Sequence, residues 1–402
     1  MKIGVCGPVN LQILEWERKP DFLPPTNSFP LTSHLVNGLL KRGFEVVVYT
    51  NSTALNEPLI LEDGRLKVCI AREKKQPGRR IFQFEVNDLK RIIQENPCDM
   101  ISAWWTYEYA WAALRTNIPT VASLHDVAHI ILWNHRDMFR VVRWVINEIV
   151  VRKAKYLIAN SAYTFNLLSN RLKRKTRTIN NFYPANLREL VPQQVEKENY
   201  IITVAQGFTK RKNIHTSLHA FKKVRKHHPN LEYHLIGVGM EVNGPAHQYS
   251  IKHGLTEGVK FIGMMPYNDL VAHVARAKVM IHPAVEESFG MVILEAMVAG
   301  TAVVAGKASG FVPDLLDYGK AGMLCDITSE ADIATAVGSL VADRSLRETY
   351  TKHAQRFADA NFSEDVIVDQ HLEYYSQVMG KKLEPTLSAQ QNLQAVPAEN
   401  SY

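Results

Sequence analysis

HPAVEESFGMVILEAMVAGTAVVAG, residues 282–306, is the stretch on which the reading of the fold turns. Residues 280–283 close a short apolar run of buried-strand character, and Glu286, Glu287 and Ser288 form a polar turn. Residues 289–298 are apolar almost throughout and too long for a strand, which predicts a helix buried on most of its faces. Ser288 stands where a helix cap would, and Gly300 where such a helix ends. Residues 301–305 return as a second buried strand. The exception is Glu295, a carboxylate two turns into this apolar run. A buried charge is costly unless it is paired or hydrogen-bonded, so Glu295 requires a partner. That partner is either a Lys or Arg side chain or a ligand hydroxyl. On the second reading, the helix N-terminus at 288–291 favours an anion, and Gly290 leaves room for it. Glu295 lies roughly 10 Å along the axis from Ser288 at about 1.5 Å per residue. Such a spacing suits a diphosphate and the ribose of one nucleotide.

Outward from this stretch, strands and helices alternate. In the second half, strands at 201–204, 233–237, 259–263 and 278–282 are separated by helices at 214–226, 244–253 and 268–277. In the first half, a strand at 2–7, a helix at 31–42, the stop Gly43 and a strand at 44–49 read as one right-handed βαβ unit. The pattern continues with strands near 66–70, 99–104, 119–124 and 156–159 and helices near 87–95, 107–115, 136–155 and 162–172. Strands this apolar imply sheets covered on both faces. The fold class is therefore α/β, with two tandem doubly wound parallel sheets. The expected domains are 1–184 and 200–361, with a polar linker at 185–199, a closing helix at 362–380 and a disordered tail at 381–402.

Bulk properties narrow the function classes. The chain has 402 residues, 46% hydrophobic and 22% charged, as in soluble globular proteins. No apolar run approaches the roughly 20 residues of a membrane span. Lys2 leads directly into an apolar strand with no signal-peptide core, and the four cysteines are scattered. Both point to a cytoplasmic chain with reduced thiols and no zinc site. The net charge of +7 is concentrated in residues 1–184, with 26 Lys+Arg against 16 Asp+Glu. That bias is either solvated surface or the mark of an acidic partner. Residues 133–153 mix Trp133, Phe139 and Trp144 with Arg136, Arg140, Arg143 and Arg152, and a basic run follows at 171–177. This is either a helix packing its aromatics on the sheet or a surface for an anionic membrane or lipid-phosphate acceptor.

Candidate ligand contacts fall at the carboxyl ends of predicted strands, where open α/β sheets bind ligands. His125 and Asp126 follow the strand at 119–124, although a structural His is an equal reading. The run from Gln206 to Asn213 is a polar, cationic loop opening a helix, and Arg211 and Lys212 supply countercharge for a diphosphate. Gly237, Gly239 and Gly263 allow close backbone approach.

These motifs resemble those of the retaining glycosyltransferases of family 4 (glycosyl transferases group 1), which have the GT-B fold. The similarity extends to about residue 380 and is most specific in Glu287 and Glu295 within EESFGMVILEAMVAGTAVVAG. RKNIHTSLHAF, LIGVG, FIG, ARAKVMIHP and FSEDVIVDQHLEYYSQV support it. The resemblance implies transfer of a sugar from a UDP- or GDP-type nucleotide sugar to an acceptor hydroxyl, with retention and without a metal or other cofactor. By the same resemblance Glu295 binds the ribose and Glu287 lies against the donor sugar. Phe289, Gly290 and Met291 meet the sugar and β-phosphate through their amides. Lys212 neutralises the leaving group, with Arg211, Gly207 and Gly263 lining the donor, and His125 faces the sugar from the first domain. It also implies that the closing helix packs back on the first domain.

Three departures stand out. Gly207 occupies the position of a family Arg. Residues 29–33, FPLTS, replace a Gly-rich turn. SGFVPDLL keeps Gly310 but places Phe311 at a second Gly and Asp314 at a usual Glu. The expected partners are a nucleotide sugar and a saccharide or lipid-linked saccharide acceptor, as in cell-surface polysaccharide or glycolipid assembly. Nucleic acid is not expected, and peripheral contact with the inner face of a membrane is compatible with the basic first half. A nucleotide-sugar epimerase of the same architecture and a non-catalytic sugar-nucleotide-binding subunit are the alternatives.

Overall fold

The structure, a computed structural model, describes residues 1–75, 81–126 and 137–385. It divides into two compact units. One comprises Met1–Ile179 together with the residues from Ile367 onward, and the other comprises Asn180–Val366. The division falls before residue 184 because Tyr183 already belongs to the second unit. Its N–H donates to Phe362 O at 3.0 Å and its hydroxyl to Asp359 at 2.7 Å. The stretch expected as an irregular linker carries a short helix, Leu187–Leu190.

The first unit holds an eight-stranded sheet of order β3-β4-β2-β1-β5-β6-β7-β8. Its strands are β1 Lys2–Cys6, β2 Glu45–Ser52, β3 Leu59–Asp63, β4 Leu66–Arg72, β5 Met100–Trp104, β6 Thr120–Leu124, β7 Tyr156–Ala159 and β8 Thr176–Thr178. All pairings are parallel except β3 with β4, whose register pairs Asp63 with Leu66 across a two-residue turn, Gly64-Arg65. A turn that short can join only antiparallel neighbours. The second unit holds six parallel strands in the order β11-β10-β9-β12-β13-β14. These are β9 Tyr200–Val204, β10 Glu232–Ile236, β11 Val259–Gly263, β12 Val279–His282, β13 Ala302–Gly306 and β14 Met323–Cys325. Residues of β9, β12 and β13 are buried along their full length, as the apolar runs predict.

Sequence periodicity missed β3, β8 and β14. It also read 162–172 as one helix, where the chain forms two short ones, Ala162–Asn166 and Asn170–Lys173. Both of these have a serine at the N-cap, Ser161 and Ser169, and the second cap interrupts the first helix. The aromatic and basic helix is Met138–Lys153; Trp133 and Arg136 lie outside the described residues, as does the tail beyond 385. No described helix is long and apolar enough to cross a membrane. The four cysteines are free, and burial pushes the Cys98 and Cys325 thiols up to about 11.

From Ile367 the closing helix, Glu364–Met379, packs within the first unit. Ile367, Val368 and Tyr375 are fully buried. Asp369 accepts from Arg42 Nε at 2.7 Å, and the Tyr375 hydroxyl donates to Ser102 Oγ at 2.7 Å beneath the sheet. Tyr375→Ala is expected to lower stability by about 3–5 kcal/mol through the cavity and the lost hydrogen bond. Urea denaturation measures this, and a loss below about 1 kcal/mol would show that the helix contributes little to this core.

Candidate functional site

The helix of the opening stretch is Met291–Val298, shorter at its start than the apolar run suggests. Its N-cap is Gly290, in the left-handed region at φ 101°, and no side chain caps it. Ser288 therefore lies outside the helix, and Gly290 precedes it instead of sitting within its first turn. The glycine is needed for its backbone angle, not for open space, because an added Cβ would lie 3.3 Å from both Ile293 and Leu315. Gly300, at φ 71°, follows the C-cap Ala299 and ends the helix as expected. The first amides of this helix have no acceptor within it, so its N-terminus is suited to an anion.

Two loops at the carboxyl edge of the second sheet are joined by charge. One follows β9 and leads into the helix Ile214–Arg225; the other follows β12. Lys212 Nζ hydrogen-bonds Glu287 Oε1. His282 Nε2 lies 3.4 Å from the same oxygen. Arg211 Nη1 donates to Glu286 O at 3.1 Å and stands 4.0 Å from Glu287 Oε1, while Val285 N–H donates to Arg211 O at 2.9 Å. Burial alone would push the Glu287 carboxyl up. His282 and Lys212 outweigh it and hold the group well below the usual carboxylate range. Glu287 is thus a fixed anion at neutral pH, with side-chain exposure of only 13%.

Glu295 sits one turn into the helix and is half-buried. Its partner is neither a Lys nor an Arg: the Tyr267 hydroxyl donates to Oε1 at 3.0 Å. Burial raises the Glu295 carboxyl to about 7, against the opposing effect of the Tyr267 hydrogen bond. This single neutral donor leaves the carboxylate under-compensated, as a site awaiting further donors would be.

Gly207 follows β9 at φ 88°, with Thr209 Cγ2 as the nearest neighbour a Cβ would meet, at 3.6 Å. The space is open but the backbone angle disfavours any side chain. Arg211 is the nearby guanidinium, already turned toward Glu286 and Glu287. Phe311 fills its Gly position by stacking on Phe289, centroids 5.2 Å apart. Its N–H donates to Glu287 O at 3.0 Å, so the turn after β13 also braces the Glu287 loop.

Residues 31–186 match the family described as Glycosyltransferase Family 4, and residues 189–357 match Glycosyl transferases group 1. The chain belongs to the family 4, group 1 glycosyltransferases. It is 35% identical over 154 residues to a D-inositol 3-phosphate glycosyltransferase of Corynebacterium kroppenstedtii, covering 36% of this chain and 34% of that protein. The chain thus spans about a third of the length of that curated relative. Its fold is similar to a sucrose-phosphate synthase from Thermosynechococcus elongatus (TM-score 0.70, 19% identity, 94% of this chain and 99% of the other). It is also similar to Anabaena HepE solved with UDP and glucose (TM-score 0.67, 21% identity, 94% and 100%). These likenesses establish the GT-B fold.

In the first unit of this family 4 chain, His125 follows β6 and is nearly buried. Its ring stacks on Trp104 at 4.7 Å and meets the edge of Phe29 at 5.3 Å. Phe29, the N-cap before Pro30, therefore places an aromatic ring where the family has a Gly-rich turn. Trp105 lies 5.6 Å from Phe29 and holds φ 68°, a strained angle for so bulky a residue. Arg143 is enclosed by Tyr107, Phe139 and Trp105 and lies 3.5 Å from the buried Glu108. Phe139 packs on Phe82, while Met138, Trp144 and Val145 remain exposed. The helix thus packs one of its aromatic rings and leaves other apolar side chains exposed. His282, Tyr267 and Trp105 were missed by sequence reasoning. His282 carried a signal, as the lone titratable group of its strand; Tyr267, 28 residues from Glu295, carried none.

The Glu295 carboxyl binds its proton more tightly folded than unfolded. Its ionisation therefore costs stability that accrues as pH rises from about 4.5 through about 7. Relative to Glu295→Gln, the wild-type protein is expected to lose on the order of 1–3 kcal/mol between pH 5 and pH 8. Paired urea denaturation curves at the two pH values measure the difference, and parallel behaviour of both proteins would refute the raised carboxyl.

Proposed function

We propose that this chain transfers a sugar from a nucleoside-diphosphate sugar to an acceptor hydroxyl, with retention of configuration and without a metal ion. The observation that carries this reading is the charge cluster of Lys212, Glu287 and His282 beside the open N-terminus of a helix whose next turn bears Glu295. Departure of a nucleoside diphosphate builds negative charge. Fixed cations and unsatisfied amides stabilise that charge without the reorganisation water would require. Lys212 has ammonium donors beyond the one given to Glu287, and Arg211 adds a second positive charge at the same loop.

The state of Glu287 bears on the mechanism. A carboxyl held well below its usual range is a weak base, so Glu287 is better suited to accept hydrogen bonds from donor-sugar hydroxyls and to orient Lys212. The acceptor proton then passes to the departing β-phosphate. Glu295 accepts from the ribose hydroxyls, completing the donor set left unfilled by Tyr267. Phe289, Gly290 and Met291 offer amides to the sugar and β-phosphate, and Gly263, at the end of β11, lets the nucleotide approach the backbone.

UDP is the favoured nucleotide, supported by HepE, whose structure contains UDP and glucose. The acceptor is a saccharide or lipid-linked saccharide. Trp105 and Phe29 supply aromatic faces on which sugar rings stack, and His125 lies against the same group. The exposed Met138, Trp144 and Val145 suit a peripheral contact with a cytoplasmic membrane face.

Lys212→Ala is expected to lower transfer from UDP-sugars at least about 100-fold, as loss of a preorganised charge partner does. The unliganded protein should remain folded by circular dichroism. Full turnover by this variant would sink the site assignment. Transfer should also survive excess chelator; activity lost on chelation and restored by magnesium or manganese would refute the metal-free mechanism.

A further inference from the structure

The opposite edge of the second sheet holds a second polar cavity, of about 760 Å³. It is lined by residues that precede strands instead of following them. Lys278 stands immediately before β12, Gly300 lies just before β13, and Gln194 to Lys197 lead toward β9. The remaining wall is the first two turns of the helix Arg344–Phe362, through Arg344, Arg347, Glu348 and Thr351. No residue of this cavity takes part in the donor site.

Its charge is unbalanced. Lys197, Lys278 and Arg347 make no ion pair among the described residues, and Glu348 is taken by Arg344 at 2.8 Å. Lys197 is structural: its ammonium donates to Ala275 O at 2.6 Å, Gly300 O at 2.8 Å and Thr301 Oγ1 at 3.2 Å. Lys278 and Arg347 are not used up. Lys278 Nζ gives one bond, to Asn199 Oδ1 at 2.7 Å. Arg347 Nη1 caps Leu340 O and Val341 O at 2.6 and 2.9 Å, leaving the rest of its fork of donors. Burial and then Arg347 lower Lys197 to about 8, and the same two causes lower Lys278. The lining thus carries four cations against two carboxylates, Glu196 and Glu348, and Arg347 repels both Lys197 and Lys278. The helix N-terminus on one wall is already capped by the Asp343 carboxylate, which accepts from Leu346 N–H at 2.9 Å.

We propose that this cavity binds a soluble, phosphate-bearing small molecule through Lys278, Arg347 and Arg344, at a site separate from the donor site. Its volume falls within the range of small-molecule pockets, and a guanidinium and an ammonium on facing walls match the oxygens of a phosphate ester. A concave pocket of this kind suits a free metabolite better than a lipid headgroup held in a bilayer. The helix Met291–Val298 runs from Gly290 at the donor edge to Gly300 at this one, so occupancy here would bear on the same helix.

Isothermal titration of the full chain with pyrophosphate tests this. Lys212→Ala should retain a pyrophosphate site, and the double variant Lys278→Glu, Arg344→Glu should weaken that site at least ten-fold. Arg344 is largely exposed, and the thermal midpoint without ligand verifies folding of the double variant. Gln194→Glu, exposed on the rim, provides a second variant expected to weaken binding several-fold. Affinity unchanged when Lys278→Glu and Arg344→Glu are added to Lys212→Ala overturns the proposal, as does complete loss of pyrophosphate binding in Lys212→Ala alone. Charge-dependent binding to phosphatidic acid vesicles without pyrophosphate binding also overturns it, by assigning the cations to a lipid headgroup.

Discussion

The contact between Lys212 and Glu287 is the constraint around which the second unit is arranged. Both side chains are largely withdrawn from water, and removal of either would leave the other charge poorly compensated. Their pairing fixes the loop after β9 against the loop after β12. Backbone bonds from Val285 to Arg211 and from Phe311 to Glu287 hold the same junction from two further sides. His282 adds a third polar group at the end of an otherwise apolar strand. A site so braced presents its charges in one geometry before any ligand arrives, which is the condition under which electrostatic stabilisation is most effective.

The first unit gathers aromatic rings where the second gathers charge. Trp104, His125, Phe29 and His371 form a stacked group at the carboxyl end of β5 and β6. His371 comes from the closing helix, and burial lowers it to about 3, so its ring stays neutral and packs as an aromatic. Arg143 is held by three aromatic faces and a buried carboxylate.

The interior parallel strands were legible because each is a short apolar run bounded by turn residues. Burial on both faces erases the alternation that would otherwise confuse them with amphipathic elements. The edge strands β3 and β8 lacked that signature, since an edge strand exposes part of its surface and carries polar residues there. The misplaced start of the Met291–Val298 helix has a similar origin. Phe289 is buried and apolar, yet its side chain packs on Phe311 and Phe362 from a loop, and apolarity alone does not distinguish the two settings.

The sequence by itself determined the two α/β units, the placement of the candidate ligand loops at strand ends, and the family whose motif Glu287, Glu295 and Lys212 resemble. Those features are written in local order: period, turn residues and the spacing of a few charges. Only the tertiary structure decided which groups those charges meet. Glu295 is bonded by a tyrosine from a different helix, Glu287 is shared between Lys212 and His282, and Gly207 owes its identity to a left-handed backbone angle. Each of these depends on residues distant in sequence or on a local torsion set by packing, and neither leaves a periodic trace in the chain.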